Sequence, residues 1–253
     1  MDYVISMSGG RGSFASACLA KDLGLSFEMV FADTLVEDDD LYWFLKDIER
    51  VLDKPITRLA DGRDIWQVFS DRKYIGNNRT AHCSDLLKRK VIRDYVSQTD
   101  RAGCTLVLGM AMDEAERLTR AQALWAPIRV ASLLCEHSIT QDKIDAYFSR
   151  YKISRPRLYG MGFPHNNCGG FCVRSGQKQF ATLLQQFPAR YRWHEDRMEE
   201  VLAENPKARP FLRATRDGKL QYLSLKQFRL ALEAGEMQAD PYDWGGCGCF
   251  VEV

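Results

Sequence analysis

Residues 3–16 read YVISMSGGRGSFAS, and this stretch decides the fold. Val4 to Met7 is an apolar run of the kind that forms a buried strand. Ser8-Gly9-Gly10-Arg11-Gly12-Ser13 follows, and residues 14–23 have helical spacing. A strand, a glycine-rich turn and a helix, in that order, make a cradle for phosphate. Glycines let the backbone turn tightly and approach an anion closely. The N–H groups freed at the helix start point at the anion, and the helix dipole favours its charge. Ser8 and Ser13 add hydroxyl donors, and Arg11 adds a positive charge. The stretch is not the G-x-x-x-x-G-K-[ST] loop, because no lysine precedes Ser13.

Working outward, residues 26–33, SFEMVFAD, read as a second strand. Its carboxyl end at Asp33-Thr34 is expected to open onto the same crevice. There Asp33 either accepts from a nucleoside or turns the chain. Leu41, Phe44, Leu45, Ile48 and Leu52 share one face of a helix over residues 41–52, and residues 55–59 form a third strand. The βαβαβ order implies parallel strands with right-handed crossovers. Residues 71–82 are a polar loop around Gly76-Asn77-Asn78. Ser84 is the expected N-cap of a helix over 85–96. Residues 104–110 are a fourth strand ending near Gly109. A short strand is expected over 125–129, and Thr140 is the expected cap of a helix over 141–151. Residues 153–172 carry prolines and glycines and read as a loop, with helix resuming from Val173. Beyond it come a helix over 191–203 that begins after Pro188, a hairpin turning at Asp217-Gly218, and a helix over 225–234 capped by Ser224. The expected architecture is a doubly wound, mainly parallel five-stranded α/β sheet with a mostly helical C-terminal extension. The expected units are residues 1–175 and 176–253.

The 253 residues are 45% hydrophobic, enough for a sizeable core, and the formal net charge is +1. That balance favours neither nucleic acid nor any other charged partner, so only local patches carry information. No apolar stretch reaches the length of a membrane span and no signal peptide precedes the first strand, so a cytoplasmic protein without membrane contact is expected. Eight cysteines in that setting point to metal, redox chemistry or packing rather than to a disulfide framework. Cys18, Cys104 and Cys135 stand among apolar residues and are expected in the core. Cys83, Cys168, Cys172, Cys247 and Cys249 stand outside the core elements, on three separate segments, with glycine beside both close pairs. Four thiolates suit zinc or a [4Fe–4S] cluster. Arg79, His82, Lys88, Arg89 and Lys90 surround Cys83, as a solvated face or as an anion site beside a thiolate. His165 is a ligand, a proton donor or a loop histidine held by backbone. Trp66, Trp193 and Trp244 are base-stacking or packing residues.

The SGGxxS run resembles the signature of the PP-loop ATP pyrophosphatases, whose fold also serves the PAPS reductases. Further stretches resemble that second branch. They are FADT at residues 31–34, Cys83 with Leu87-Lys88, GMAMDEAER at residues 109–117, and RPRLYGMGF followed by Cys168. In combination they span roughly residues 3–175. The resemblance implies an adenine nucleotide alpha hydrolase-like (HUP-like) fold. It implies that Ser8, Gly9, Gly10, Gly12 and Ser13 bind nucleotide phosphate, with Arg11 stabilising its charge. Asp33 and Thr34 would then face the adenosine, Gly109 would line the crevice, and Lys88 and Arg117 would reach phosphates. The nucleotide is ATP, or PAPS in the reductase reading, with magnesium as a further expected ion.

A single cysteine at 83 and a GGCGCF tail bring the chain nearer to the cluster-bearing members that insert sulfur into nucleic acids. On that reading Cys83, Cys168 and Cys172 hold a [4Fe–4S] cluster, with zinc as the alternative. One of Cys247 and Cys249 completes the set. Cys249 is taken as the ligand and Cys247 as the sulfur carrier. The expected activity is adenylation of an acceptor, tRNA or DNA, followed by sulfur transfer. The rivals are a sulfonucleotide reductase and a nucleotide-binding subunit of a nucleic-acid-modifying complex. A sulfur-donor protein is an expected partner, and a dimer is the expected oligomer.

Overall fold

The structure is a computed structural model and describes residues 2–216 and 219–246. It opens with β1 (Tyr3–Ser6), α1 (Arg11–Asp22), β2 (Phe27–Asp33), α2 (Asp39–Leu52), β3 (Ile56–Ala60) and α3 (Ile65–Arg72). A continuous rod follows, built from α4 (His82–Ser84), a π-helical turn (Asp85–Lys90) and α5 (Val91–Val96). β4 (Thr105–Leu108), α6 (Ala115–Trp125), β5 (Arg129–Ala131), α7 (Leu133–Glu136), α8 (Gln141–Tyr151) and α9 (Arg157–Gly160) complete the first part. Then come α10 (Gln177–Gln186), α11 (Pro188–Glu204), the strands β6 (Leu212–Arg216) and β7 (Lys219–Leu223), and α12 (Leu225–Glu233).

The main sheet is parallel throughout, in the order β3-β2-β1-β4-β5. The chain therefore reverses its direction of winding between β1 and β4, and ligands of such sheets lie at that switch point. Residues of β4 are all buried because helices cover both faces, which is why the strand reads as an unbroken apolar run. Alternation sends Ile5 into a core with Phe14, Phe44 and Phe148, and Val4 into one with Leu106, Ile92 and Trp125. The doubly wound α/β architecture with a mostly helical extension is thus the one the sequence implied.

A third core lies under the extension. Phe180, Tyr191, Met198 and Phe228 pack there with Trp66 and Phe69 of α3 and with Leu158, Phe163 and Phe171. The C-terminal helices therefore share their core with α3 and the 158–173 segment. Ser224 caps α12 in a reciprocal capping box with Gln227. The β6–β7 hairpin pairs Arg216 with Lys219, and its turn residues Asp217 and Gly218 lie outside the described residues.

Several local expectations are corrected. Ser84 sits inside the rod and does not cap it; Ala81 precedes the first turn. The short strand is Arg129–Ala131, and the apolar Trp125 instead ends α6 at full burial. Thr140 stands at the N-cap without a side-chain bond. Helix resumes at Gln177 rather than Val173, because Ser175 is bridged to Gly245 and Gly176 lies against Asp243. α3 was not expected, although Asp64 and Gln67 form a capping box at its start.

The imidazole of His194 is buried in the third core, where Nδ1 accepts from Trp66 Nε1 (2.9 Å) and the ring stacks on Phe171 at 3.9 Å. Burial, helped by the charge of Arg190, holds its pKa well below the usual histidine range. The unfolded chain then takes up a proton below its ordinary histidine pKa that the folded chain refuses. Stability is full above about pH 6.5 and falls by up to about 1.4 kcal/mol per pH unit below it. Thermal melts from pH 7.5 to 5.5 are expected to show this fall, and His194→Gln is expected to flatten it. Equal slopes in the two proteins would remove His194 as its source.

Candidate nucleotide crevice and thiol cavity

At the switch point a crevice of ≈ 410 Å³ opens beside the β1–α1 turn, bounded by Ser8, Gly10, Arg11 and Gly12 on one side and Gly109, Glu114 and Arg117 on the other. The turn is built by close approach. Gly9 has φ +72°, and a Cβ on Gly12 would lie 2.2 Å from the Gly109 carbonyl oxygen. A Cβ on Gly109 would lie 2.3 Å from the Ser13 amide nitrogen. Gly12 and Gly109 are therefore glycines because two backbones touch there, a second demand besides access for an anion.

The donors expected to face phosphate divide into two groups. Ser8, Gly10, Arg11, Gly12, Lys88, Gly109 and Arg117 line the crevice. Gly9 and Ser13 do not; Gly9 is buried, and Ser13 is buried with its hydroxyl donating to the Gly10 carbonyl (2.9 Å). The Arg11 guanidinium pairs with Asp145 at 2.5 Å, and Arg117 pairs with Glu114. The Arg11 backbone N–H is directed at the Tyr159 hydroxyl (3.4 Å). Asp33 is turned away from the crevice. Its carboxylate accepts from the Leu35 amide (2.7 Å) and the Tyr42 hydroxyl (3.0 Å) and pairs with Arg58 (2.5 Å). Thr34 also lies off the crevice and lines a second, smaller cavity.

That second cavity, of ≈ 20 Å³, is lined by Cys83, Cys168 and Cys172 together with Thr34 and Lys88. Two distant segments, one carrying Cys83 and the other Cys168 and Cys172, thus line one cavity. Cys83 comes from α4, and Cys168 from a 3-10 turn over Cys168–Gly170. Cys168, Gly169 and Gly170 all have positive φ, of 50°, 59° and 87°. The turn is held from outside. Glu37 accepts from the Cys168 amide (2.5 Å), and Arg190 donates to the Gly169 carbonyl (2.7 Å) and to Asp38 (2.7 Å). Lys88, on the π-helical turn, donates to Cys168 Sγ (3.6 Å) and stands 3.7 Å from Glu37. A cation beside sulfur stabilises negative charge on it. Burial raises the Glu37 pKa, opposed by Lys88 and by the hydroxyl of Thr34, which donates at 2.8 Å.

One loop serves both chambers. Pro164, His165, Asn166 and Asn167 line the crevice, and Cys168, Phe171 and Cys172 line the thiol cavity. Asn166 Nδ2 donates to the Gly9 carbonyl (3.0 Å), tying this loop to the β1–α1 turn. Sequence reasoning missed Asn166, Glu37 and Tyr159; an Asn pair before Cys168 was the one visible hint. Trp244, Gly245 and Gly246 also line the crevice, and the Gly246 amide donates to the Arg174 carbonyl (3.1 Å). Cys247 and Cys249 lie outside the described residues. Among the described residues, no group of three His, Cys, Asp or Glu side chains stands close enough to hold a metal ion. Of the other candidates, Trp66 is buried core and Trp193 is exposed on α11. Cys18 and Cys104 are buried free thiols, and Cys135 is a half-buried one. No helix of the described residues is long and apolar enough to cross a membrane.

A scan against protein-family models finds no match, and a search of curated proteins finds no significant match. Among solved structures the chain is similar to a phosphoadenylyl-sulfate (PAPS) reductase from Candida auris, in its phosphate complex. The identity is 11% and the TM-score 0.46, over 64% of this chain and 79% of that one. It is also similar to a predicted subunit of tRNA methyltransferase from Methanocaldococcus jannaschii. Here the identity is 18% and the TM-score 0.40, over 59% of this chain and 76% of that one.

The contact between Gly12 and Gly109 yields a direct test. Gly12→Ala is expected to cost about 1–3 kcal/mol, since the neighbour it strikes is backbone and cannot swing away. Gly160→Ala, with open space around the new methyl group, is expected to change the melting temperature little. Equal melting temperatures for the two variants would refute the close approach.

Proposed function

We propose that the chain is a PP-loop nucleotide enzyme that binds ATP in the crevice and activates an acceptor oxygen by adenylation. The observation that carries the reading is that Lys88 lines both the crevice and the thiol cavity. The reacting phosphate and the sulfur chemistry would then share one wall. The β1–α1 turn supports it, with Gly10 and Gly12 leaving backbone room for polyphosphate. In the proposed step the acceptor oxygen attacks the α-phosphorus, pyrophosphate leaves, and the acceptor carries AMP. Backbone N–H groups of the turn and Lys88 would stabilise the charge that develops on the phosphate oxygens. Hydrosulfide-level sulfur from a sulfur donor would then attack the activated carbon: the C–S bond forms, the C–O bond to AMP breaks, AMP leaves, and loss of the sulfur's proton leaves the thiocarbonyl.

Cys83, Cys168 and Cys172 would hold a metal centre, which is taken to be a [4Fe–4S] cluster. The donor types fit, because three cysteines from two segments line one cavity beside a lysine, and soft thiolates select iron–sulfur clusters or zinc. The described chain ends at Gly246, hydrogen-bonded to Arg174, and Arg174 itself lines the thiol cavity. The fourth ligand is proposed to be Cys249, with Cys247 as the alternative. Such a cluster supplies sulfide or electrons when bound. The rest falls to the protein: Lys88 neutralises negative charge on sulfur, and Glu37 and Arg190 fix the Cys168 turn.

Zinc is the second reading, and the small cavity favours it. A volume of ≈ 20 Å³ is about that of one water-sized body, so a cubane requires the 166–172 loop to stand further out. Anaerobic purification with iron, zinc and sulfide analysis separates the two. Iron and sulfide in near-equal amounts are expected, with most of both lost in Cys83→Ala. Zinc without sulfide would select the second reading, and neither metal would refute the centre. ATP is expected to yield AMP and pyrophosphate when RNA or DNA is supplied. Lys88→Ala is expected to lower that turnover at least about tenfold, the scale of losing one charged phosphate contact. Equal turnover in Lys88→Ala would refute the shared wall.

A further inference from the structure

A third cavity, of ≈ 270 Å³, lies beyond the thiol cavity, and the proposed chemistry does not use it. Arg174, Ser175, Arg213, Asn78 and Asp243 contribute to its wall. Arg174 is only 5% exposed, yet among the described residues its Nε and Nη1 have no hydrogen-bond partner. The hydroxyl of Ser175, a residue 8% exposed, is likewise without a partner among them. Buried charges are normally paired, because removal from water is otherwise uncompensated. The carboxylate in this wall is already engaged. Asp243 accepts from the Gln177 amide (3.0 Å) and its carbonyl accepts from the Lys178 amide (2.9 Å), so it caps α10. Arg174, Arg213, Ser175 and Asn78 thus share a wall with one carboxylate that is already engaged. Guanidinium geometry matches tetrahedral oxyanions, and phosphate above all.

The tail divides this cavity from the nucleotide crevice. Gly245 and Gly246 line both. Gly245 has φ +70° and lies so close to residues 174–176 that a Cβ would stand 2.4 Å from the Arg174 carbonyl oxygen. The partition is therefore a firm chain crossing. Trp244, beside it, lies on the crevice side.

We propose that the third cavity is a phosphate site centred on Arg174, with Ser175 Oγ and Arg213 as further donors. The phosphate comes from a phosphodiester of a nucleic-acid strand, or from a free phosphate. Its place across the tail from the crevice suits a strand whose neighbouring nucleotide reaches the crevice mouth past Trp244. The site itself stands with or without a metal centre; its use by an acceptor strand rests on the proposed function.

The test uses the full chain and two variants, Arg174→Gln and Arg213→Gln. Inorganic phosphate is titrated by calorimetry, and short single-stranded DNA and RNA are titrated by fluorescence anisotropy. ATP affinity and metal content are followed in parallel. Both variants are expected to weaken the bound probe at least about tenfold, the scale of one charge-assisted hydrogen bond. For an oligonucleotide the slope of log affinity against log salt is expected to shrink by roughly 1. ATP affinity is expected to stay unchanged. An effect on the oligonucleotide identifies a strand as the source, and an effect on inorganic phosphate alone identifies a free phosphate. Unchanged affinity for every probe in both variants would overturn the site. Metal loss in Arg174→Gln with phosphate binding intact would also overturn it, since Arg174 would then serve the thiol cavity. Arg213 is exposed, so its variant keeps the test valid if Arg174→Gln fails to fold. Loss of ATP binding in the unmodified protein would instead refute the proposed function and leave this site standing.

Discussion

Gly12 and Gly109 meet backbone to backbone where the first helix leaves the sheet. Each glycine denies the other position a side chain. The contact sits between β1 and β4, where the winding of the sheet reverses, and it sets how closely the start of α1 approaches the carboxyl end of β4. Everything around the crevice is referred to that spacing. The β1–α1 turn keeps its amides open because α1 can start against β4. The 164–172 loop is then hung on the same turn through Asn166 and Gly9. Moving the contact would move the crevice wall and the cysteine turn together.

The second organising feature is charge placed where water is scarce. Lys88 is buried and stands against both Cys168 and Glu37. The π-helical turn that carries it departs from the regular helix, and such departures are frequent at functional sites. Asp38, fully buried, gathers Arg157 and Arg190 and so joins α2, α9 and α11 around the cysteine turn. These pairs fix geometry rather than supply large net stability, because burying charges offsets much of their attraction. Arg174 differs from them in pairing with no carboxylate among the described residues.

Much of the sheet was legible in the sequence because parallel strands covered on both faces read as plain apolar runs. The glycine turn was legible because strand, glycines and helix follow one another directly. Cys168 and Cys172 stood out by their glycine neighbours and Cys83 by its place outside the apolar elements, and all three line one cavity. Other assignments were hidden by three-dimensional competition. Asp33 has the position of a nucleoside acceptor, yet Tyr42 and Arg58 draw its carboxylate to the other side. Ser13 looks like a phosphate donor, but one turn of helix puts its hydroxyl on the Gly10 carbonyl. Asn166 and Arg174 become informative only when sequence-distant segments come together. α3 was overlooked because eight residues give a weak periodic signal, although its capping box was present.

Lys88 stands between two neighbouring chambers, the crevice proposed for polyphosphate and the cavity proposed for sulfur chemistry. The most direct measurement is a crystal structure of anaerobically purified protein with a non-hydrolysable ATP analogue, recorded at the iron absorption edge. Polyphosphate density against Gly10 and Gly12, with an anomalous peak among Cys83, Cys168 and Cys172, is the expected result. An analogue bound away from that turn, or an anomalous peak remote from those three cysteines, would contradict it.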